Sequence, residues 1–344
     1  MNINSLNEND FESNPNNLIF LKNLVEDSYS TICLDSAFSV FKSINEILYL
    51  IYSDYKKSII LYNLLNNQKI IEIKNAHNDF ILIFRHYLDK INNMDLILSI
   101  SPYDNNIKLW KVSNLECILN LTNVNNFGRL EAGCLLYYEN NNYILSSNCN
   151  YDHISDPIKI FDFKGNKLKE INNSSEVTKF IDIYYDFKLY KTYIITGNTG
   201  FSKSYDLKTN KIYKIYDDSD YDYHISLIIN NINDKIHLIE SSIGGFIRVW
   251  DFHSAILLKK IDIKSNYGGQ ILYGLCLWNK KYLFIGNNKK QILLLELKHY
   301  KVLKQFQCNN GSIITIKKIV HSKYGECLIS LGVKGAIQLW IIKQ

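Results

Sequence analysis

The sequence predicts an all-β protein built as a ring of seven four-stranded sheets, a seven-bladed β-propeller. Three observations predict it. Short β-like runs end their cores in a bulky residue at a near-constant spacing: Tyr62, Trp110, Phe161, Tyr205, Trp250, Leu295 and Trp340, separated by 48, 51, 44, 45, 45 and 45 residues. A period of about 40–45 residues is that of a propeller blade. Between anchors there is room for four short strands divided by turns rich in Asn, Gly, Asp and Lys. No run shows a convincing apolar stripe at helical spacing.

Taken in order, residues 1–16 are Asn-rich and acidic and read as a flexible tail, and residues 17–344 as a single propeller domain. NLIFLKNLV (17–25) is a strand ahead of the first unit, whose own opening strand is STICLDSAF (30–38). The anchor strands follow as IILYN (59–63), IKLWK (107–111), IKIFD (158–162), SKSYD (202–206), IRVWD (247–251), ILLLE (292–296) and IQLWI (337–341). Between the fifth and sixth anchors lie ILLKKIDI (256–263), ILYGLCLW (271–278) and YLFIGNN (282–288). Their near-continuous apolar character suits sheets covered on both faces. The seventh unit supplies SIITIKKIV (312–320), ECLISLG (326–332) and IQLWIIK (337–343) but lacks an outermost strand. The strand at 17–25 fills that place, so the ring is expected to close by pairing the two ends of the chain, which also removes an open edge.

Composition limits the function. The chain has 344 residues, 47% of them hydrophobic, and a net charge of +5. Its basic charge is nearly all Lys, with arginine only at 85, 129 and 248. A dedicated nucleic-acid binder usually has a denser patch with Arg for bidentate contacts. The seven cysteines are scattered without a CxxC pair, which reads as reduced thiols in an intracellular protein, cytoplasmic in preference to nuclear. There is no secretory leader pattern and no apolar run near the ~18 residues needed to span a bilayer. Four common enzyme signatures are absent, no cofactor is implied, and Asp152, His153 and Asp156 make a poor ligand set for a metal.

The units resemble WD40 repeats. DNNIKLW (104–110) matches that family's D-x-x-I-K-L-W pattern, Ala76-His77 stands where the family often has Gly-His, and Trp250-Asp251 is the literal pair. The resemblance implies a blade-stiffening tetrad of His, Ser or Thr, Asp and Trp. The second unit offers His77, Asp104 and Trp110, with the Ser slot placed at Ile100. Elsewhere the pattern decays, with Lys289 and Lys334 in the turn-aspartate slot, so most blades are expected to be held by apolar packing. Trp250, Asp251 and Trp340 are read as structural.

The resemblance also implies a non-catalytic interaction platform, a subunit binding other proteins through loops of its upper face. Two long loops there carry Phe127, Arg129, Tyr151 and His153; aromatic residues and Arg are favoured anchors. YDDSDYDYH (216–224) gathers Asp217, Asp218, Asp220, Asp222, Tyr221 and Tyr223. It reads as a landing place for a basic peptide or as a solvated acidic turn. Lys56, Lys57, Lys289, Lys290 and Lys334 make an opposing arc on the same face, while Lys90, Lys188, Lys191, Lys280, Lys281 and Lys323 enrich the lower face. That lower face suits anionic lipid or RNA, and simple solubility equally well. Two specialised readings lack their signals: the adjacent arginines of phosphoinositide-binding propellers are missing, and His253 stands where ubiquitin-ligase receptors often carry Arg. An enzymatic reading would need ionisable residues clustered at the channel mouth.

Overall fold

The computed structural model describes residues 14–26, 38–122, 124, 129–149, 157–172, 177–232, 235–263, 271–309 and 311–343. They form seven antiparallel sheets of four strands with essentially no helix. Blade 1 runs from inner to outer strand as Phe38–Lys42, Leu48–Ser53, Ile59–Asn63 and Gln68–Ile73. Blade 2 is Ile83–Asp89, Met94–Ser101, Asn106–Lys111 and Cys117–Leu121. Blade 3 is Arg129–Tyr138, Asn141–Cys149, Ile158–Asp162 and Lys167–Ile171. Blade 4 is Thr178–Asp186, Lys191–Asn198, Ser202–Asp206 and Lys211–Tyr216. Blade 5 is His224–Ile232, Lys235–Ser242, Phe246–Asp251 and Leu257–Asp262. Blade 6 is Leu272–Trp278, Tyr282–Asn287, Gln291–Glu296 and Lys301–Gln307. Blade 7 is Ile313–His321, Gly325–Gly332 and Ile337–Ile342, completed by Leu18–Val25.

The ring closes as the sequence predicts. Leu18, Ile19 and Phe20 pair antiparallel with Ile342, Ile341 and Trp340, and Lys343 N–H donates to the Asn17 carbonyl at 3.0 Å. Inner strands of successive blades touch around the axis, and that of blade 7 touches that of blade 1. One expected strand differs: of the run 30–38 only Phe38 lies within the described residues, and the inner strand of blade 1 is Phe38–Lys42. Residues 1–13 of the expected tail lie outside the described residues; Pro15–Asn17 form a short 3-10 turn capped by the Asn14 side chain.

The core is divided among the blade interfaces. Six apolar clusters each join two neighbouring blades, such as Phe41, Ile51, Leu61, Phe84, Ile97 and Trp110 between blades 1 and 2, and Tyr193, Tyr216, Leu238, Trp250 and Phe252 between blades 4 and 5; a seventh, between blades 7 and 1, also takes in Ile225 and Tyr273 of blades 5 and 6. Sheets buried on both faces explain why alternation is weak in the sequence. Burial at these interfaces supplies the non-directional part of the stability.

A feature invisible to the repeat pattern recurs at every anchor. Opposite Tyr62, Trp110, Phe161, Tyr205, Trp250, Leu295 and Trp340 the outer strand carries one extra residue, respectively Ile70, Ile118, Leu168, Tyr213, Leu258, Leu303 and Leu21. A bulge bends its strand and increases the local twist, and the bulky anchor sits where that bend occurs. The bulges also account for apolar side chains exposed on the rim, including Ile70, Ile118, Leu168, Leu258 and Leu303. Lysines beside them, such as Lys69, Lys167, Lys259 and Lys304, guard the outer edges against pairing with another chain.

Candidate functional site

Turns between inner and second strands, and between third and outer strands, lie on one face, the lower; the other connections lie on the upper. In blades 1, 3, 4 and 5 the residue after the anchor caps a lower turn. Asp251 accepts from Ser254 N–H at 2.8 Å and from Ser254 Oγ–H at 2.7 Å. Asp162, Asp206 and Asn63 cap the equivalent turns. That is the physical reason for an acidic or amide residue after the anchor: its oxygen satisfies turn N–H groups that have no strand partner.

In blade 2 the tetrad is complete, with one correction. His77 Nε2 lies 2.8 Å from Ser99 Oγ, Trp110 Nε1–H donates to the same oxygen at 2.8 Å, and His77 Nδ1 lies 3.3 Å from Asp104. The serine slot is therefore Ser99, not Ile100. Alternation explains this: adjacent strand residues face opposite ways, and Ile100 packs in the cluster between blades 2 and 3. Asp104 also accepts from Asn78 N–H at 2.9 Å, locking the loop from blade 1 to blade 2. Burial holds the His77 imidazole below its ordinary range, against the opposite pull of Asp104. With neutral His77 donating from Nδ1, the Ser99 hydroxyl donates to Nε2 and accepts from Trp110.

Counting two residues past the one paired with each anchor locates the same slot elsewhere. Blade 7 places Ser330 there, and Trp340 Nε1–H donates to its Oγ at 2.9 Å. Blade 5 places Glu240 there, fully buried. Trp250 Nε1–H donates to Glu240 Oε2 at 3.0 Å, and His224 Nδ1 lies 2.9 Å from the same oxygen. Blades 5 and 7 thus keep polar pins as well as the apolar packing expected of them. The sequence reading missed His224 and Glu240, because histidine here opens the inner strand instead of standing in the preceding loop.

The upper face between blades 4 and 5 gathers a cluster of charge. Arg248, 0% exposed on the third strand, reaches Asp218 through Nε at 2.7 Å, Asp220 through Nη2 at 3.4 Å and Asp222 through Nη1 at 3.5 Å. Lys260 adds a bond to Asp218 at 2.9 Å and a second to Asp220, and both cations lie over the Phe246 ring. Desolvation opposes ionisation of Asp218, yet Arg248 and Lys260 hold its carboxyl below the usual range. Asp222 also accepts from the N–H groups of Gly244 and Tyr223, each at 2.8 Å. Neither sequence reading of this loop covers all its carboxylates: Asp217 is exposed, while Asp218 and Asp222 are turned inward onto Arg248. The loop is clamped, and it presents Tyr221, 87% exposed, with Tyr223 beside it. The usable signal was Arg248 itself, a rare arginine inside a Trp-Asp strand.

The remaining expected contact residues are placed less fully. Phe127, Tyr151 and His153, together with Asp152 and Asp156, lie outside the described residues. Arg129 begins the inner strand of blade 3. Lys56, Lys57, Lys289, Lys290 and Lys334 occupy upper turns of blades 1, 6 and 7. Among the described residues no group of three His, Cys, Asp or Glu could hold a metal ion, and no helix is long and apolar enough to cross a membrane.

No family model matches the chain. A segment of 87 residues, 25% of the chain, is 33% identical to part of Dynein heavy chain-like protein 2 of Plasmodium falciparum, of which it covers 2%. A match this short leaves the family unassigned. The chain is a seven-bladed β-propeller, an architecture consistent with a WD40-like family, with a charge-clamped loop on its upper face.

Proposed function

We propose that this propeller is a non-catalytic interaction platform that binds other proteins through its upper-face loops and works as a subunit of a complex. The observation that carries this reading is the clamp on the 217–223 loop. A buried arginine taking three carboxylates is an expensive arrangement unless fully paired, and here it fixes a surface loop in one shape. A loop ordered before binding pays less entropy on association, and the side chain it holds outward, Tyr221, is of a type that dominates interface energetics.

Because Arg248 and Lys260 occupy Asp218, Asp220 and Asp222, a basic peptide would meet chiefly Asp217 and the tyrosines. The opposing lysine arc on blades 1, 6 and 7 would then orient the partner more than strengthen it. The test is affinity capture from native extract with wild-type protein and a Tyr221→Ala/Tyr223→Ala variant. A stoichiometric partner held by the first and lost from the second supports the reading. Identical capture by both, or a partner-free monomer with a turnover activity, contradicts it.

A further inference from the structure

We propose that the lower face docks on an anionic lipid bilayer, with the 187–190 turn of blade 4 as the element that enters it. The rim bulges account for exposed apolar residues on the outer strands, but not for those at the lower turns. In the five-residue segment FKLYK (187–191) the apolar members Phe187, Leu189 and Tyr190 are 63%, 51% and 83% exposed. Singly scattered apolar residues are ordinary on a surface; three on one tip are a patch.

The turn is built, not loose. Asp186 accepts from Lys188 N–H at 2.9 Å and from Leu189 N–H at 3.0 Å, and its other oxygen faces His253 Nε2 of blade 5 at 3.2 Å. Tyr190 sits at φ 51°, a left-handed conformation that a bulky residue rarely adopts. Blades 1 and 2 add exposed Ile44 and Ile91 at the corresponding turns of the same face.

Charge identifies the occupant. Lys90, Lys188, Lys191, Lys280, Lys281 and Lys323 are all exposed in or beside these inner turns of blades 2, 4, 6 and 7. Part of the neighbouring acid is recessed or paired: Asp89 and Asp186 are buried as turn caps, Asp206 faces Lys191 and Glu326 faces Lys318, while Glu46, beside Lys42, and Glu139 are exposed. Apolar and aromatic tips framed by lysines match the interfacial layer of a membrane carrying negative headgroups, where lysine stems lie along apolar surface and keep their charge in water. RNA would also be drawn by the lysines, and Phe187 and Tyr190 offer bases a stacking face, but the aliphatic Ile44, Ile91 and Leu189 exposed on the same face suit acyl chains and not bases. This inference is independent of the upper-face reading.

The test is vesicle flotation of the full chain, using phosphatidylcholine vesicles with and without phosphatidylserine. The expected result is flotation with phosphatidylserine vesicles that weakens as salt is raised. It should be at least about tenfold weaker for a Phe187→Ser/Leu189→Ser/Tyr190→Ser variant of unchanged melting temperature. Lys90→Glu/Lys188→Glu should weaken it similarly, serving also as the second arm should the tip variant fail to fold. A Tyr190→Trp variant should show blue-shifted emission on vesicles, since Trp110, Trp250, Trp278 and Trp340 are all buried and do not contact lipid. No flotation, flotation untouched by both variants, binding to poly(U) without flotation, or a dimer abolished by the tip variant without flotation would each overturn the proposal.

Discussion

The indole of Trp250 donates to the carboxylate of Glu240 at 3.0 Å, where the indole of Trp110 donates to the hydroxyl of Ser99 at 2.8 Å. One blade has replaced a small neutral acceptor by a buried acid, and His224 has joined it from the inner strand. Removing the carboxylate takes the acceptor from the Trp250 N–H and leaves His224 Nδ1 with Ser202 Oγ alone, at 3.3 Å. Glu240→Ala should lower unfolding free energy by about 2–5 kcal/mol, at about 1–3 kcal/mol for each buried donor that loses its acceptor. Urea denaturation measures this, and a loss below about 1 kcal/mol would contradict the pinning role.

Ser99 and Ile100 are neighbours with separable roles. Ser99→Ala leaves the Trp110 N–H without its acceptor and His77 Nε2 without its donor, and should cost about 1–3 kcal/mol. It should also move the Trp110 indole N–H resonance. Ile100→Val should cost about 0.5–1.5 kcal/mol through lost packing and leave that resonance in place.

The acidic loop should divide under mutation. Asp217→Asn, at an exposed side chain, should change stability by no more than about 0.5 kcal/mol. Arg248→Ala leaves Asp222 without its cation and Asp218 with Lys260 alone, and should cost about 3–5 kcal/mol and open residues 217–223 to limited proteolysis. Gly244→Ala tests the same clamp sterically, because a Cβ there meets Asp222 Oδ2 at 2.5 Å. Equal tolerance at 217 and 248 would contradict the clamp.

Burial sets a pH dependence. It holds His77 and His237 below the ordinary histidine range. An unfolded chain with histidines near ~6.5 takes up protons that the native state does not. Their contribution is therefore whole above about pH 6.5 and is lost as pH falls below it. Melting temperatures across that range should decline, and His77→Gln should flatten the decline. A slope unchanged by that substitution would show that His77 is not responsible.

Much of the fold was legible because a blade must repeat its anchor, and Trp110, Trp250 and Trp340 could be counted. The ring closure was legible because the seventh unit lacked a strand that 17–25 could supply. The bulges at Ile70 to Leu303 were not, since an extra residue leaves the period intact. The serine slot was misplaced by one residue because register flips a side chain to the other face. At the upper loop, charge counting saw the aspartates but not Arg248, which comes from a strand about 30 residues later and meets them only through the fold.

The claim on which the rest depends is the closed ring, and a cross-link tests it most directly. Ile19 and Ile341 are directly opposed across the first and last strands, a placement in which Cα atoms lie about 4.5–5.5 Å apart and a disulfide can form. An Ile19→Cys/Ile341→Cys variant should cross-link nearly completely under mild oxidation and melt at higher temperature than its reduced form. Failure to cross-link in the folded protein, with both thiols freely alkylated, would contradict the closure and the seven-blade count that goes with it.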